Sequence, residues 1–198
     1  MTPSPAAFGQ LPAFAAWRHH GVRDGFEVVF FRADSQDHRI EGHSTAVEDG
    51  RAWAVDYVIV VEADWVTRRV RVRAQSESGS GEVRLERSGP GRWLVDGASA
   101  PHLDGCVDVD LEASVFTNAL PVRRLGLQVG AEAAVPAAFV RAPDLAVERL
   151  DQHYLRLDDE GGLQRYDYAA PRFDYTGRLG YDSSGLLLEY PGIAERSI

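Results

Sequence analysis

The chain has 198 residues, of which 44% are hydrophobic and 26% charged, a composition typical of a globular protein with a sizeable core. Its formal net charge of −9 argues against a nucleic-acid-binding surface, which requires an excess of basic residues, and against electrostatic attachment to anionic membranes. The single cysteine, Cys106, excludes an internal disulfide bond and a cysteine-cluster metal site.

The sequence lacks the features that direct proteins to membranes or out of the cell. No run of about 18 apolar residues is present, so we expect no membrane-spanning segment. Residues 1–20 carry no positive charge before their weak apolar stretch, which makes them a poor signal peptide. We therefore expect a cytoplasmic protein. Without a linker or an internal repeat, we predict a single domain over residues 1–198, with a loosely ordered segment at 1–12.

Short segments rich in β-branched and aromatic residues predict strands throughout the chain. The connections between them are short and polar, which favours antiparallel hairpins, and 182–185 has the composition of a hairpin turn. About eleven or twelve strands without intervening helices predict a mainly β fold with one large antiparallel sheet, closed or strongly curled. The predicted strands are 27–34, 55–61 with an extension back to Trp53, 66–73, 82–87, 91–97, 106–111, 137–143, 145–150, 153–157, 164–168, 174–181 and 186–191.

Helix-forming patterns occur at only two places. The first is residues 5–17, which Pro12 interrupts. The second is residues 117–125, where Thr117 or Asn118 can cap the helix, Pro121 lies in its first turn and Gly126 can end it.

Three acidic residues alternate along the predicted strand at 106–111 and just beyond it. Asp108, Asp110 and Glu112 would point to one face about 7 Å apart, a spacing that suits a divalent cation or an acid/base pair for sugar hydrolysis. The same alternation, with apolar residues at 107, 109 and 111, is typical of a half-buried strand with a solvated outer face. We favour the solvated face, because no histidine or glycine-bearing metal loop accompanies the acids.

The cysteine and the six histidines do not indicate a reactive site. Acidic neighbours raise a thiol's pKa, so a buried, unreactive Cys106 is favoured over a nucleophile. The histidines form no metal-binding spacing, and we expect neither a metal nor a cofactor.

Arg68 is placed on the apolar face of its predicted strand, together with Val66, Val70 and Val72. A charge there must be paired or lie at a cavity mouth. Arg68 is therefore either an anchor for a ligand's polar head group, or a structural residue that forms a salt bridge or is turned outward by a bulge. The aromatic residues on the strands also have two interpretations. They could line a site for a sugar ring or a lipid chain, but such residues more often belong to the core.

Several segments in order resemble one known bacterial family. They are DWVTRRVRV (64–72), GRWLVDG (91–97), LDGCVDVDL (103–111), VFTNALPVRRL (115–125), APDLAV (142–147), QHYLRL (152–157) and YDSSGLLLEYP (181–191). From about Trp17 to Pro191 the chain is similar to the glycolipid-binding family, long catalogued as a domain of unknown function. The most specific elements are F-T-N-x-L-P-x-R-R-L and D-G-C-x-D-V-D-L.

The resemblance implies a spiralling antiparallel sheet wrapped around a hydrophobic helix, a half-barrel similar to the carriers that ferry lipoproteins across the Gram-negative periplasm. Residues 117–125 would be that helix, with Leu120, Val122 and Leu125 facing inward. The family has no established catalytic residues, so the resemblance assigns none here.

We therefore expect a non-catalytic protein that binds a small amphipathic ligand, a glycolipid or lipid-like metabolite, in the concavity between sheet and helix. Arg123 and Arg124 either fasten the helix or bind the head group, and we favour fastening. One alternative is an enzyme acting on a sugar or acyl substrate through Asp108 and Asp110, and another is a structural or protein-interaction module. The expected ligand-binding residues are Trp65, Arg68, Thr117, Asn118, Arg123, Arg124, Tyr154, Tyr166 and Tyr190.

Overall fold

The computed structural model describes residues 8–33 and 37–197 of the chain. Within these ranges the chain forms seventeen strands and one short α-helix. The strands are β1 (Phe14–His19), β2 (Asp24–Ala33), β3 (Asp37–Glu48), β4 (Arg51–Glu62), β5 (Thr67–Ser76), β6 (Gly79–Gly89), β7 (Arg92–Val95), β8 (Ala98–Ser99), β9 (Asp108–Leu111), β10 (Glu132–Ala134), β11 (Ala137–Val140), β12 (Val147–Leu150), β13 (His153–Arg156), β14 (Gln164–Ala170), β15 (Tyr175–Tyr181), β16 (Leu187–Tyr190) and β17 (Ala194–Arg196). The helix is α1 (Ala119–Leu125), preceded by a 3-10 turn at Phe116–Asn118.

Fourteen strands form one curled antiparallel sheet, in the order β10-β13-β14-β15-β16-β17-β1-β2-β3-β4-β5-β6-β7-β8. The pairing of β1 with β17 joins the two halves of the chain. The terminal strands β10 and β8 do not pair with each other, so the sheet remains a half-barrel rather than a closed barrel. This confirms the predicted mainly β fold with a large curled sheet.

Alternating side chains explain the long central strands of this sheet. Val55, Tyr57 and Ile59 of β4 are buried, whereas the intervening Asp56 is exposed. Such alternation allows one face to pack on a core while the other meets solvent. The strand predictions at 55–61 and 66–73 fall within β4 and largely within β5 and are confirmed.

The prediction missed five strands, the most extensive being β3. Its inward positions include Gly42, Ser44 and Ala46, which are too small or polar to produce an apolar alternation.

The predicted helix at 5–17 was wrong, because Phe14–His19 is β1, which pairs with both β2 and β17. Residues 1–7, within the segment expected to be loosely ordered, and residue 34 of a predicted strand lie outside the described residues.

Gly42 is required by the packing of Tyr57, which lies opposite it on β4. A β-carbon at Gly42 would overlap the Tyr57 ring. We expect Gly42→Ala to lower the free energy of unfolding by about 2–3 kcal/mol, because the ring must leave a well-packed position. Urea denaturation measures this loss. Gly89→Ala is the matched control, since no atom lies within 4 Å of the position its β-carbon would occupy, and a loss equal to that of Gly42→Ala would contradict the packing argument.

The helix α1 packs on the concave face of the sheet. Phe116, Leu120 and Val122 are almost completely buried, and Leu125 is partly buried. Gly126 ends the helix in the left-handed conformation, with φ of 52°, as predicted. Asn118, one of the two predicted capping residues, occupies the N-cap position, but its side chain makes no capping hydrogen bond.

A second, three-stranded sheet, which we call the inner sheet, lies with the helix inside the half-barrel and has the strand order β12-β11-β9. Its β9–β11 pair is parallel, an exception to the predicted antiparallel arrangement. Asp108 is 1% exposed, and its neighbour Val109 is equally buried. The predicted solvated outer face of β9 was therefore wrong, since both faces of this strand are covered.

Arg68 lies at a β-bulge where β5 pairs with β4. Val60 is opposite Arg69 and Val61 is opposite Thr67, so Arg68 is the extra residue. Its side chain is 40% exposed and lies 2.5 Å from the Asp37 carboxylate. Both structural alternatives for Arg68 occur together, since it lies at a bulge and forms an ion pair with Asp37.

Candidate functional site

A partly open cavity of about 380 Å³ lies between the inner sheet, the turn before α1 and the C-terminal strands. The strands β9, β11 and β12 and the strands β14 to β16 all contribute lining residues. Most of the lining is apolar, which gives a surface that favours hydrocarbon over water. The apolar residues lining it are Val22, Leu111, Val115, Phe139, Leu150, Ala170, Phe173, Pro191 and Ile193.

Polar side chains also line this cavity, and we define the polar wall as His19, Asp110, Asn118, Tyr168 and Tyr190. They come from β1, β9, the turn before α1, β14 and β16. Only the folded sheet can bring these five positions together.

Asp110 is held by hydrogen bonds from two directions. Its Oδ1 accepts from the Thr117 hydroxyl at 2.7 Å, and its Oδ2 accepts from Gln152 Nε2 at 2.6 Å. Gln152 Nε2 also donates to the Tyr168 hydroxyl at 2.9 Å. Burial, reinforced by the charge of Glu112, raises the pKa of Asp110 to about 6. The network fixes a buried carboxylate at the cavity wall.

Tyrosines form a continuous cluster behind and along the polar wall. The rings of Tyr168, Tyr175 and Tyr190 lie 5.4–6.1 Å apart between centroids and line the cavity. Tyr154 and Tyr166 pack against this cluster but are fully buried and do not line the cavity. Burial raises the pKa of each of these phenols, which keeps their hydroxyls protonated.

His19 is a member of the polar wall that the sequence did not indicate. It is 2% exposed, its Nε2 lies 3.5 Å from the Ser44 hydroxyl, and its Nδ1 has no hydrogen-bond partner among the described residues. Burial and the nearby charge of Arg23 lower the pKa of His19 to about 4, so the imidazole is neutral. No strand was predicted at β1 (Phe14–His19), so the inward position of His19 was not predicted.

Arg124 fastens α1 to the inner sheet. Its Nε and Nη2 donate to the two Asp108 oxygens at 3.0 and 2.6 Å. Burial raises the pKa of Asp108, and the Arg124 charge partly offsets this effect. Asp108 does not line the cavity. The structure therefore does not bring Asp108 and Asp110 together as an acid/base pair facing one cavity.

Arg123 and Trp65 lie in a different recess, of about 530 Å³. The Arg123 guanidinium stands 4.1 Å from the Trp65 ring centroid and donates to the carbonyls of Gly9 and Ser184. Trp65 stacks on His38 at 4.4 Å. Burial lowers the pKa of Arg123 to about 10. These contacts fasten α1 to the 182–185 turn.

The predicted binding residues thus fall into three groups. Asn118 and Tyr190 line the cavity, while Thr117, Tyr154 and Tyr166 support it from behind. The remaining four make contacts that join structural elements. They are Trp65, Arg68, Arg123 and Arg124.

Glu27 is a buried carboxylate that the sequence also did not indicate. It links β2 of the fourteen-stranded sheet to the turn before α1. Its Oε1 accepts from the Tyr57 hydroxyl at 2.6 Å, and its Oε2 accepts from the Val115 amide at 2.7 Å. Burial raises the pKa of Glu27 to about 7. It does not line the cavity and acts as a structural tether.

Residues 8–33 and 37–197 contain no helix long and apolar enough to cross a membrane. They also contain no group of three or more histidine, cysteine, aspartate or glutamate side chains placed to hold a metal ion.

Comparisons with known proteins agree with this architecture. Residues 14–196 match the model of a family described as "Putative glycolipid-binding". A crystal structure of a DUF1089 family protein from Pseudomonas aeruginosa, at 1.80 Å resolution, is 30% identical in sequence with a TM-score of 0.72. The similarity covers 93% of each chain. No curated protein matches the sequence.

Proposed function

Because the chain belongs to the "Putative glycolipid-binding" family, we propose that it is a non-catalytic protein that binds a small amphipathic ligand in the 380 Å³ cavity. The observation that carries this proposal is the lining of the cavity, which is mainly apolar but also includes the side chains of the polar wall. Its volume falls within the range of about 300–1,000 Å³ found for small-molecule sites.

The mechanism is sequestration. The hydrocarbon part of the ligand would displace water from the apolar lining formed by residues such as Phe139 and Leu150, at about 0.8 kcal/mol for each buried CH₂. Its head group would face the polar wall. A ligand that lacks its hydrocarbon part would leave the apolar lining unmatched, and one that lacks a polar head group would leave the polar wall unmatched.

The proposed position differs from the sequence expectation in one respect. The space between α1 and the large sheet is filled by Phe116 and Leu120, which are completely buried. The cavity lies beside the helix, where Asn118 reaches it from the preceding turn. The ligand would therefore bind next to the helix and not around it.

We do not extend the proposal to catalysis. Both Asp108 oxygens are engaged by Arg124, and Asp108 is separated from the cavity that Asp110 lines. Asp108 therefore cannot act with Asp110 as an acid/base pair on a ligand in this cavity.

Native mass spectrometry of gently purified protein tests the proposal. We expect a co-purifying amphiphile, or a mass shift and a raised melting temperature after adding one, because ligand binding stabilises the native state. Ile193→Trp places a larger side chain in the cavity lining and should weaken ligand binding at least about fivefold. The dissociation constant rises exponentially with the binding free energy that is lost when less of the ligand is buried.

Val129→Trp is the matched control, because Val129 is exposed and does not line the cavity. It introduces the same side chain and should bind ligand as the wild type does. The absence of any ligand, with no change in melting temperature over a range of amphiphiles, would contradict the proposal.

A further inference from the structure

The charges around the cavity are unbalanced. Among the residues that the structure describes, one guanidinium, that of Arg23, and three carboxylates, those of Glu48, Asp110 and Glu112, line it. An anionic head group would enter against this excess of negative charge. Since these charges lie in partly buried positions, solvent screens them less than it would on an open surface.

Arg23 is partly engaged, since its Nη1 is hydrogen-bonded whereas its buried Nε has no hydrogen-bond partner among the described residues. Its Nη1 donates to the Glu112 carbonyl at 3.1 Å, and its Nε lies 3.7 Å from Glu48. The guanidinium also stands 5.4 Å from the centroid of the Trp53 ring. On the far side, Arg141 lies 4.0 Å from Glu112 and does not line the cavity. Among the described residues, the one guanidinium that lines the cavity is thus paired with Glu48, and an anionic head group would have to compete with this carboxylate for it.

The polar wall instead offers neutral hydrogen-bonding groups with unused capacity. The buried His19 Nδ1 has no partner among the described residues, an uncommon state for a polar atom inside a protein. The Asn118 side chain makes only long bonds of 3.4 Å, its Nδ2 donating to the Val115 carbonyl and its Oδ1 accepting from the Tyr154 hydroxyl. A neutral imidazole and an amide can each donate to and accept from a hydroxyl group.

We propose that the cavity selects amphiphiles with an uncharged, hydroxyl-bearing head group and rejects anionic head groups, with His19 as a specificity-determining contact. This inference rests on the proposed function and specifies the ligand class of the same site. Hydroxyl groups match the wall because they donate to Asp110 and either donate to or accept from His19 and Asn118. A phosphate offers mainly acceptors and would face the surrounding carboxylates.

Calorimetric titration with three octyl amphiphiles below their micellar concentrations tests the inference. The head groups are glucoside (uncharged, hydroxyl-bearing), phosphate (anionic) and trimethylammonium (cationic). We expect the glucoside to bind at least about tenfold more tightly than the phosphate, and more tightly than trimethylammonium. Equal or tighter binding of the phosphate, or tightest binding of trimethylammonium, would overturn the inference.

Two variants separate specific contacts from general structural effects. His19→Leu should weaken glucoside binding about five- to tenfold and leave trimethylammonium binding unchanged, because only the glucoside can bond the imidazole. His20→Leu is the control, since His20 does not line the cavity.

Glu48→Gln should strengthen phosphate binding about threefold by removing one negative charge and releasing Arg23. An unchanged phosphate affinity would contradict the electrostatic argument.

The outcomes also separate this inference from the proposed function. If none of the three amphiphiles binds the wild-type protein and natural ligand is also absent, the proposed function fails. If all three bind equally and Ile193→Trp weakens each of them, the cavity binds amphiphiles and only the inferred head-group selectivity fails.

Discussion

Asp108→Asn is expected to lower the free energy of unfolding by about 3 kcal/mol, one of the largest losses available from a single change in this chain. The substitution keeps the side-chain shape and removes the charge that neutralises Arg124. Asp108 is almost completely buried and accepts two hydrogen bonds from this guanidinium. Breaking the pair leaves a largely buried cation without its counter-ion, and urea denaturation measures the loss.

Asp167→Asn is the matched control, because Asp167 forms a two-bond pair with Arg178 on the exposed surface. Exposed pairs contribute about 0–1 kcal/mol, so this loss should be much smaller. Adding Arg124→Met to Asp108→Asn should restore part of the stability by removing the unpaired cation. Equal losses from Asp108→Asn and Asp167→Asn would show that Arg124 does not fasten α1 as described.

Glu27→Gln is expected to change how stability depends on pH. The pKa of Glu27 is about 7 in the folded protein, above its ordinary value of 4.5. The folded state therefore binds this proton more tightly, and its contribution to stability is lost as pH rises from about 4.5 to 7. At about 1.4 kcal/mol per pKa unit, the loss amounts to about 3 kcal/mol.

Urea denaturation of both proteins at about pH 5 and pH 8 measures this contribution. Because other titrating groups, including Asp110, are common to both proteins, they cancel in the difference. Relative to the wild type, Glu27→Gln should gain about 3 kcal/mol between the two pH values. Glu132→Gln, at an exposed position, should stay within about 0.5 kcal/mol of the wild type at both. A constant difference for Glu27→Gln would contradict the raised pKa.

The large sheet was predictable where side-chain alternation is strong. In β4, apolar residues at every second position produce a pattern that only a half-buried strand satisfies. In β3, Gly42 and Ser44 occupy the same inward face without an apolar signal, because the Tyr57 ring fills the space that a larger side chain would take. Apolar alternation therefore fails to predict a strand whose inward residues are small because a large side chain of the neighbouring strand fills the space beside them.

The cavity was not predictable, because its residues come from distant parts of the chain. The alternation of Asp108 and Asp110 is the same for a solvated face and for an internal polar face. The two kinds of face are distinguished only by distant partners: Arg124, 16 residues after Asp108, and Gln152, 42 residues after Asp110. The position of His19 depends similarly on β17, at the other end of the chain. The helix at 117–125 was predictable from local features, since Pro121 and Gly126 mark its beginning and end.

The most direct test of the central claim is a crystal structure of the protein with an octyl amphiphile carrying bromine at the chain terminus. The anomalous signal of bromine locates the hydrocarbon end without relying on the shape of the density. We predict a bromine peak in the 380 Å³ cavity beside Phe139, Leu150 and Phe173, with the head group at the polar wall. A peak found only in the recess of Trp65 and Arg123, or only on the outer face of the sheet, would contradict the claim.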